Sequence, residues 1–382
     1  MRRVVVVLAL LAGVAMVSSP VCAQRVPEQL KTQDYTVKVE TWIDSGLRNP
    51  WGIAFIDENT ALVTEKGGNV RFIRDGRLEE PIAGTPVSID IGQGGMMAVS
   101  VDPEYATNGW VYLGYTHGRD GTDERRQPTM TRIVRGKIVD NRWTDEQVLF
   151  EAKPEHYRTG GVHFGVRIVF DKDGHLYFAI GDRGAQDQAQ RLDVPNGKSH
   201  RIHRDGSIPA DNPYAGRDDA YPSIYSHGNR NIQGMAIHPD TDQLYATEHG
   251  PRGGDELNLI LPGRNYGWPV ITYGINYNGS KITDLTEKEG MEQPIRQWTP
   301  SLAVCGLDFY TGSEFPRWQN QLLVGSLAFQ ELRRVKVDGD KLVEEELLLK
   351  GAGRIRDVKV GPDGAIYLVL NSPDIILRLT AQ

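Results

Sequence analysis

The chain has 382 residues, 39% hydrophobic and 24% charged, with a formal net charge of −7 at neutral pH. That is the composition of a globular protein long enough to bury a large core. Its acidity argues against nucleic acid or an anionic membrane as partner, because both require a basic face.

At the N-terminus, Met1-Arg2-Arg3 is followed by an apolar run over residues 4–17 and by Val21-Cys22-Ala23. This pattern predicts a signal peptide cleaved after Ala23, export, and one domain over residues 24–382. The apolar run, about 14 residues, is too short to span a bilayer. Losing Arg2 and Arg3 takes the charge from −7 to −9. Losing Cys22 leaves Cys305 alone, so no intrachain disulfide is available and stability must come from packing or bound metal.

Residues 25–33 are polar and expected to be loose, whereas 35–42 (YTVKVETW) alternate as a strand does. A pattern then recurs six times: an apolar strand, a turn built mostly from Pro, Asp or Gly, and a second strand rich in Tyr, Leu and Val. The pairs begin at Trp51 and Ala61, Met97 and Trp110, Val166 and Leu176, Gly234 and Leu244, Gly306 and Leu322, and Arg356 and Ile366. Such turn residues supply the fixed or positive φ that a hairpin needs. Six units at this spacing, each worth about four strands, predict an all-β, six-bladed β-propeller with long inter-blade loops around a central channel. The strand at 35–42 is expected to close the ring by joining the last blade.

The surplus length lies between blades, and those loops carry the chemistry. Gln93 lies in a glycine-rich turn before the second repeat, and His163 precedes the third. Asp182 ends the third repeat's second strand, Arg230 and Asn231 precede the fourth, and Arg354 and Arg356 open the sixth. Equivalent positions of a propeller project to one face, so a base, an amide and several guanidiniums are expected around one channel mouth. Taken singly each has a plainer reading: a histidine in a turn, a glutamine between glycines, an ion-paired strand face. Arg354 and Arg356 alternate, which puts both on one face of a strand, where they suit a carboxylated ligand. Gly250 and Pro251 offer carbonyls beside Asp255 and Glu256, an oxygen-rich set that suits Ca²⁺. Motifs for Rossmann cofactors, nucleotide hydrolysis and zinc proteolysis are absent.

The segments LRNPWGIAF, GQGGMMAVSVDPEYATNGWVYLGYT, HFGVRIVFDKDGHLYFAIGDRG, HGNRNIQGMAIHP, EHGPRGGDELNLILPGRNYGWP and RIRDVKVGPDGAIYL carry a resemblance. The chain resembles the soluble periplasmic aldose sugar dehydrogenases, relatives of soluble quinoprotein glucose dehydrogenase. The resemblance implies a six-bladed propeller that binds pyrroloquinoline quinone (PQQ) and Ca²⁺ over the channel. The implied enzyme oxidises aldose sugars at C1 to the lactone and passes electrons to a diffusible acceptor; a monomer is expected.

Residue by residue, it implies that His163 is the general base for the C1 hydroxyl, with hydride passing to the quinone C5. Arg230 would stabilise charge at the reacting carbonyl, and Gln93 would orient substrate or cofactor. Arg354 and Arg356 would hold the cofactor carboxylates, with Asp182 and Asn231 also lining the cofactor. Gly250 and Pro251 would ligate Ca²⁺, and Glu256 and Tyr266 match a second Ca²⁺ site. Two departures stand out. Val162 occupies the place of an aspartate that orients the histidine, and Ala328 that of a cofactor lysine, a contact that Arg333 or Arg334 would have to replace. These departures favour one rival, a non-catalytic sugar- or protein-binding propeller; a second rival, a Ca²⁺-dependent lactonase, would need carboxylate and Asn ligands along the axis, where this chain offers carbonyls and arginines.

Overall fold

The structure, a computed structural model, describes residues 26–120 and 127–382. The expected signal peptide lies outside the described residues. Six antiparallel sheets follow one another in the chain. The first contains Pro50–Phe55, Thr60–Glu65, Val70–Arg74 and Arg77–Pro81. The second contains Met96–Val101, Val111–Gly118, Thr129–Val139 and Arg142–Phe150, and the third Ile168–Phe170, His175–Ile180, Lys198–His203 and Ile224–His227. The fourth has Ile232–Ile237, Leu244–Glu248, Asp255–Ile260 and Arg296–Trp298. The fifth has Val304–Phe309, Leu322–Ser326, Glu331–Asp338 and Lys341–Lys350.

The sixth sheet closes the ring. Arg354–Val360, Ile366–Asn371 and Ile375–Ala381 are joined by Thr36–Ile43, which pairs from Val37↔Ala381 to Ile43↔Ile376. An early strand and the last three strands thus share one blade, as the alternation at 35–42 predicts. Outside it lies a fifth strand, Gln29–Lys31, in a stretch whose polarity suggested no structure. Its backbone completes a ladder even though its side chains bury little. Among the described residues no helix is long and apolar enough to cross a membrane.

The first strand of each sheet lines the axis, where the first strands of successive sheets touch. Space there is tight. A Cβ on Gly234 would lie 2.2 Å from the Cys305 carbonyl oxygen of the next blade, so only glycine lets these backbones approach. Threonines on the second strands stitch adjacent blades: Thr247 donates to the Cys305 carbonyl (2.6 Å) and Thr64 to that of Met97 (2.5 Å).

Five of the six inner strands carry a register shift, at Pro50/Ile53, Met96/Ala98, Ile232/Gly234, Val304/Leu307 and Ile355/Asp357. Bulges bend a strand and re-aim its side chains, here where the strands enter the channel. The last leaves Arg356 as the extra residue, so Arg354 and Arg356 do not share a face by simple alternation. Arg167 spans the channel below. It pairs with Asp357 (2.9 Å), donates to the carbonyls of Gln233 (2.8 Å) and Arg356 (2.7 Å), and lies over the Trp51 ring at 4.2 Å. One side chain thereby ties four blades together.

Candidate active site

His163 sits on a loop whose shape depends on two glycines. A Cβ on Gly92 would lie 2.2 Å from the Gly161 carbonyl oxygen. The bare approach lets Gln93 N donate to that carbonyl (2.7 Å), and the Gln93 side-chain oxygen then accepts from His163 N (2.8 Å). Gln93 therefore holds the histidine's backbone. His163, Gly165 and Val166 all have positive φ, at 52°, 70° and 71°. For valine this is a strained conformation, of the kind that concentrates at functional sites. It also explains why the regular strand starts only at Ile168. Arg183 braces the loop from behind, donating to the carbonyls of Val162 and Gly160 and stacking on Phe164 at 3.5 Å.

The imidazole Nδ1 lies 2.5 Å from Asp182 Oδ1. Asp182 has no exposed surface; its Oδ1 also accepts from Gly184 N (2.8 Å) and its Oδ2 from Trp268 Nε1 (2.8 Å). These bonds hold the carboxyl below its usual range despite burial. A carboxylate fixed in this way makes Nδ1 the protonated nitrogen and leaves the lone pair on Nε2. Burial, aided by the charges of Arg230 and Arg183, pushes the His163 pKa down although Asp182 pulls it up, so the ring is neutral. Asp182 thus supplies the orientation that Val162 cannot. It faces His163, with both oxygens spent inside the protein, and does not line open space as a cofactor contact would.

Arg230 is anchored through its backbone, whose N–H donates to the buried Glu248 carboxylate and whose carbonyl accepts from Asp182 N (2.8 Å). Its Nη1 donates to the carbonyls of His249 (3.1 Å) and Gly250 (2.8 Å), and the guanidinium lies 5.3 Å from the Trp268 ring centroid. Asn231 is buried, and its side-chain oxygen accepts from Gly165 N (3.1 Å) and Gln233 Nε2 (3.2 Å). It therefore supports the His163 loop.

Arg354 donates weakly to the Leu327 carbonyl (3.4 Å), and Arg356 to Asn371 (3.3 Å) and the Cys305 sulfur (3.6 Å). Burial and the nearby Arg356 push the Arg354 pKa down. No carboxylate of the described residues lies within 4.0 Å of the Arg230, Arg354 or Arg356 guanidinium nitrogens. Three guanidiniums without a paired carboxylate at one channel mouth fit a planar, carboxylated ligand such as PQQ. His249 sits among these charges, its pKa pushed down to about 3 by burial and by Arg230 and Arg356, with Nε2 buried and unpartnered. Arg333 and Arg334 cannot replace the missing lysine. Arg333 is held by Glu331 and Glu345, and Arg334 by Glu344 and Glu346. Ala328 itself is exposed.

Beside Arg230 a cavity of about 10 Å³ is lined by Glu248, Gly250, Glu256, Tyr266, Trp268 and Thr272, among others. That is room for about one water or ion. Burial pushes Glu248 up to about 7, and burial with the Glu248 charge pushes Glu256 up to about 8. A pair of buried carboxylates that no side-chain cation bridges, next to the Gly250 carbonyl, is a donor set that suits Ca²⁺, although the nearby Arg230 charge already stabilises Glu248. The Tyr266 hydroxyl points elsewhere, bonded to Leu259 and Leu261, so that residue would contribute through another atom. Among the described residues no group of three or more His, Cys, Asp or Glu is placed to hold a metal.

Sequence reasoning brought together Gln93, His163, Asp182, Arg230 and Asn231, and the structure joins all five. It missed Arg167, His249 and Trp268. A charged residue inside the otherwise apolar run at residues 166–170 was the available signal for Arg167; the NYGWP segment contains Trp268 but gives no hint of its partner.

The model of the glucose/sorbosone dehydrogenase family matches residues 47–378. Aldose sugar dehydrogenase YliI of Escherichia coli (strain K12) is 40% identical over 342 residues, covering 87% of this chain and 90% of the relative. The structure of the soluble aldose sugar dehydrogenase from Escherichia coli in the apo-form superposes with a TM-score of 0.84 at 37% identity, covering 91% of this chain and all of that one. The PQQ-bound aldose sugar dehydrogenase from Streptomyces coelicolor gives 0.70 at 25% identity, covering 91% and 98%. With its six blades and its ring of polar loops, the chain belongs to the glucose/sorbosone dehydrogenase family.

Proposed function

We propose that this protein is a periplasmic quinoprotein that oxidises aldose sugars at C1 to the lactone, using PQQ and Ca²⁺ and a diffusible electron acceptor. The observation that carries the reading is the His163–Asp182 pair set beside three guanidiniums without carboxylate partners. PQQ, when bound, supplies the two-electron acceptor, and Ca²⁺ a Lewis acid beside it.

The protein's own groups do the rest. Nε2 of His163 takes the C1 hydroxyl proton, and Asp182 stabilises the imidazolium that forms. Arg230 keeps Nε and Nη2 free of partners among the described residues, so it can donate to charge developing at the reacting centre. Arg354 and Arg356 pair with the cofactor carboxylates, and Gln93 keeps the base loop in register. The Gly250 and Pro251 carbonyls would hold one Ca²⁺, and Glu256 a second. The test is titration of the apo-protein with PQQ and Ca²⁺, followed by sugar-dependent dye reduction. Saturable binding with reduction is expected; absence of saturable PQQ binding overturns the reading. The non-catalytic rival loses half its support, since Asp182 does the work expected of the residue at Val162.

A further inference from the structure

Trp268 touches both halves of the candidate site. The residue is 4% exposed and its backbone is tied down on both sides. Its N–H donates to the Gly228 carbonyl (2.8 Å), and its carbonyl accepts from Gln190 Nε2 (2.7 Å). Gln190 is fixed in turn by a reciprocal pair of bonds to Asn265. The indole N–H reaches Asp182 Oδ2, and one ring face lies 5.3 Å from the Arg230 guanidinium.

Asp182 has two oxygens and unequal company. Oδ1 accepts from His163 and Gly184, whereas Oδ2 accepts from Trp268. A fully buried carboxylate oxygen without a donor is costly, so the indole N–H decides which way the carboxylate is turned. We propose that Trp268 is a positioning residue that fixes the Asp182 carboxylate toward Nδ1 of His163 and seats the Arg230 guanidinium on the Gly250 carbonyl. It makes no contact with the reacting atoms; its effect passes through its two neighbours. The inference rests on the reading of His163 as the base.

The charged groups facing the pair are Arg230 and Arg183, with His249 neutral beside Arg230. Among the described residues only the indole N–H donates to Oδ2; Arg183 is spent on the carbonyls of Val162 and Gly160, and Arg230 is turned to those of His249 and Gly250 through Nη1. Removing the indole N–H raises the proton affinity of Asp182, and the coupled pair then retains its proton to higher pH.

Two substitutions test this. Trp268→Phe removes the N–H and part of the ring. 3-Benzothienylalanine at position 268 keeps the shape and replaces only the N–H by sulfur. In the PQQ- and Ca²⁺-loaded protein, the acid limb of kcat/KM should move up by about half a pH unit or more. kcat should fall about tenfold, with KM for the sugar changed less than about twofold. In the apo-protein, ¹⁵N NMR of the His163 ring should show a single Nδ1–H tautomer in the wild type and a mixture in both variants. A loss of rate with an unmoved pH limb and an unmixed tautomer overturns the proposal. So does a benzothienyl variant indistinguishable from wild type, which settles the matter even if the Phe variant folds poorly. If the loaded wild type oxidises no sugar, the functional reading fails, while the NMR arm still reports whether Trp268 controls His163.

Discussion

Replacing Asp182 by asparagine removes one charge and turns one of two buried acceptors into a donor. In the native arrangement Oδ1 accepts from His163 Nδ1 and Gly184 N, and Oδ2 from the Trp268 indole. The amide has one oxygen to offer. If that oxygen keeps the Oδ1 place, the amide NH₂ meets the indole N–H and leaves a buried donor unmet, costing about 1–3 kcal/mol. If it takes the Oδ2 place, the NH₂ meets Gly184 N–H and forces Nδ1 of His163 to accept. The ring proton then sits on Nε2, and the base has no lone pair where the substrate would be. The same change in a Ser-His-Asp triad costs on the order of 10⁴ in kcat. Asp182→Asn is therefore expected to lose at least about 10²-fold in kcat of sugar-dependent dye reduction. Its urea unfolding should show a stability loss of about 1–3 kcal/mol. A kcat within about twofold of wild type would refute the argument that Asp182 sets the tautomer.

Other outcomes follow from the same geometry. Ala328→Lys should restore a charge-assisted contact at an exposed rim position and tighten PQQ binding about tenfold or more, read by fluorescence titration; unchanged affinity would show that position 328 does not face the cofactor. Because Glu256 is pushed up to about 8 and Glu248 to about 7, a cation entering their cavity must displace protons. Ca²⁺ affinity should therefore rise between pH 6 and pH 8 with proton release in calorimetry, and Glu256→Gln should weaken that dependence to the part that Glu248 carries. Arg167→Met strands Asp357 in the channel and should cost about 3–5 kcal/mol in urea unfolding; a loss below about 1 kcal/mol would show that the channel pair does not lock the blades.

His200 is fully buried, stacked on Phe178 and bonded to Ser223 and the Pro195 carbonyl. Burial pushes it down to about 3, so the native state stays neutral where the unfolded chain takes up a proton. The stability it contributes is present above the unfolded pKa near 6.5 and is lost as pH falls toward 3, at about 1.4 kcal/mol per unit. His200→Gln should lower stability at pH 7 yet flatten its fall between pH 6 and pH 4 by that amount. An unchanged slope would contradict the assignment.

The propeller was legible because hairpin chemistry is local. The Asp-Lys-Asp-Gly turn after Phe170 and the Gly-Pro-Asp-Gly turn after Val360 each declare two strands, and repetition gives the ring. Ring closure by Thr36–Ile43 could be foreseen from alternation, while Gln29–Lys31 could not, since a polar edge strand bonds through its backbone alone. In the site, repeat register brought Gln93, His163 and Arg230 to one mouth. Partnerships between loops were out of reach. Asp182 is 19 residues from His163 and Trp268 is 86 from Asp182, and no periodicity links such positions. The bulge at Arg356 likewise reflects crowding of inner strands, which a one-dimensional pattern does not contain.

A quinone-dependent sugar oxidation with His163 as the base can be tested by one comparison. Wild type and His163→Gln are loaded with PQQ and Ca²⁺, the bound cofactor is quantified by its absorbance, and glucose-dependent dye reduction is measured across pH. Equal cofactor loading, turnover in the wild type with an acid limb below about 6.5, and a fall of about 10²-fold or more in the variant are expected. Equal turnover in the two proteins, or none in fully loaded wild type, would contradict it.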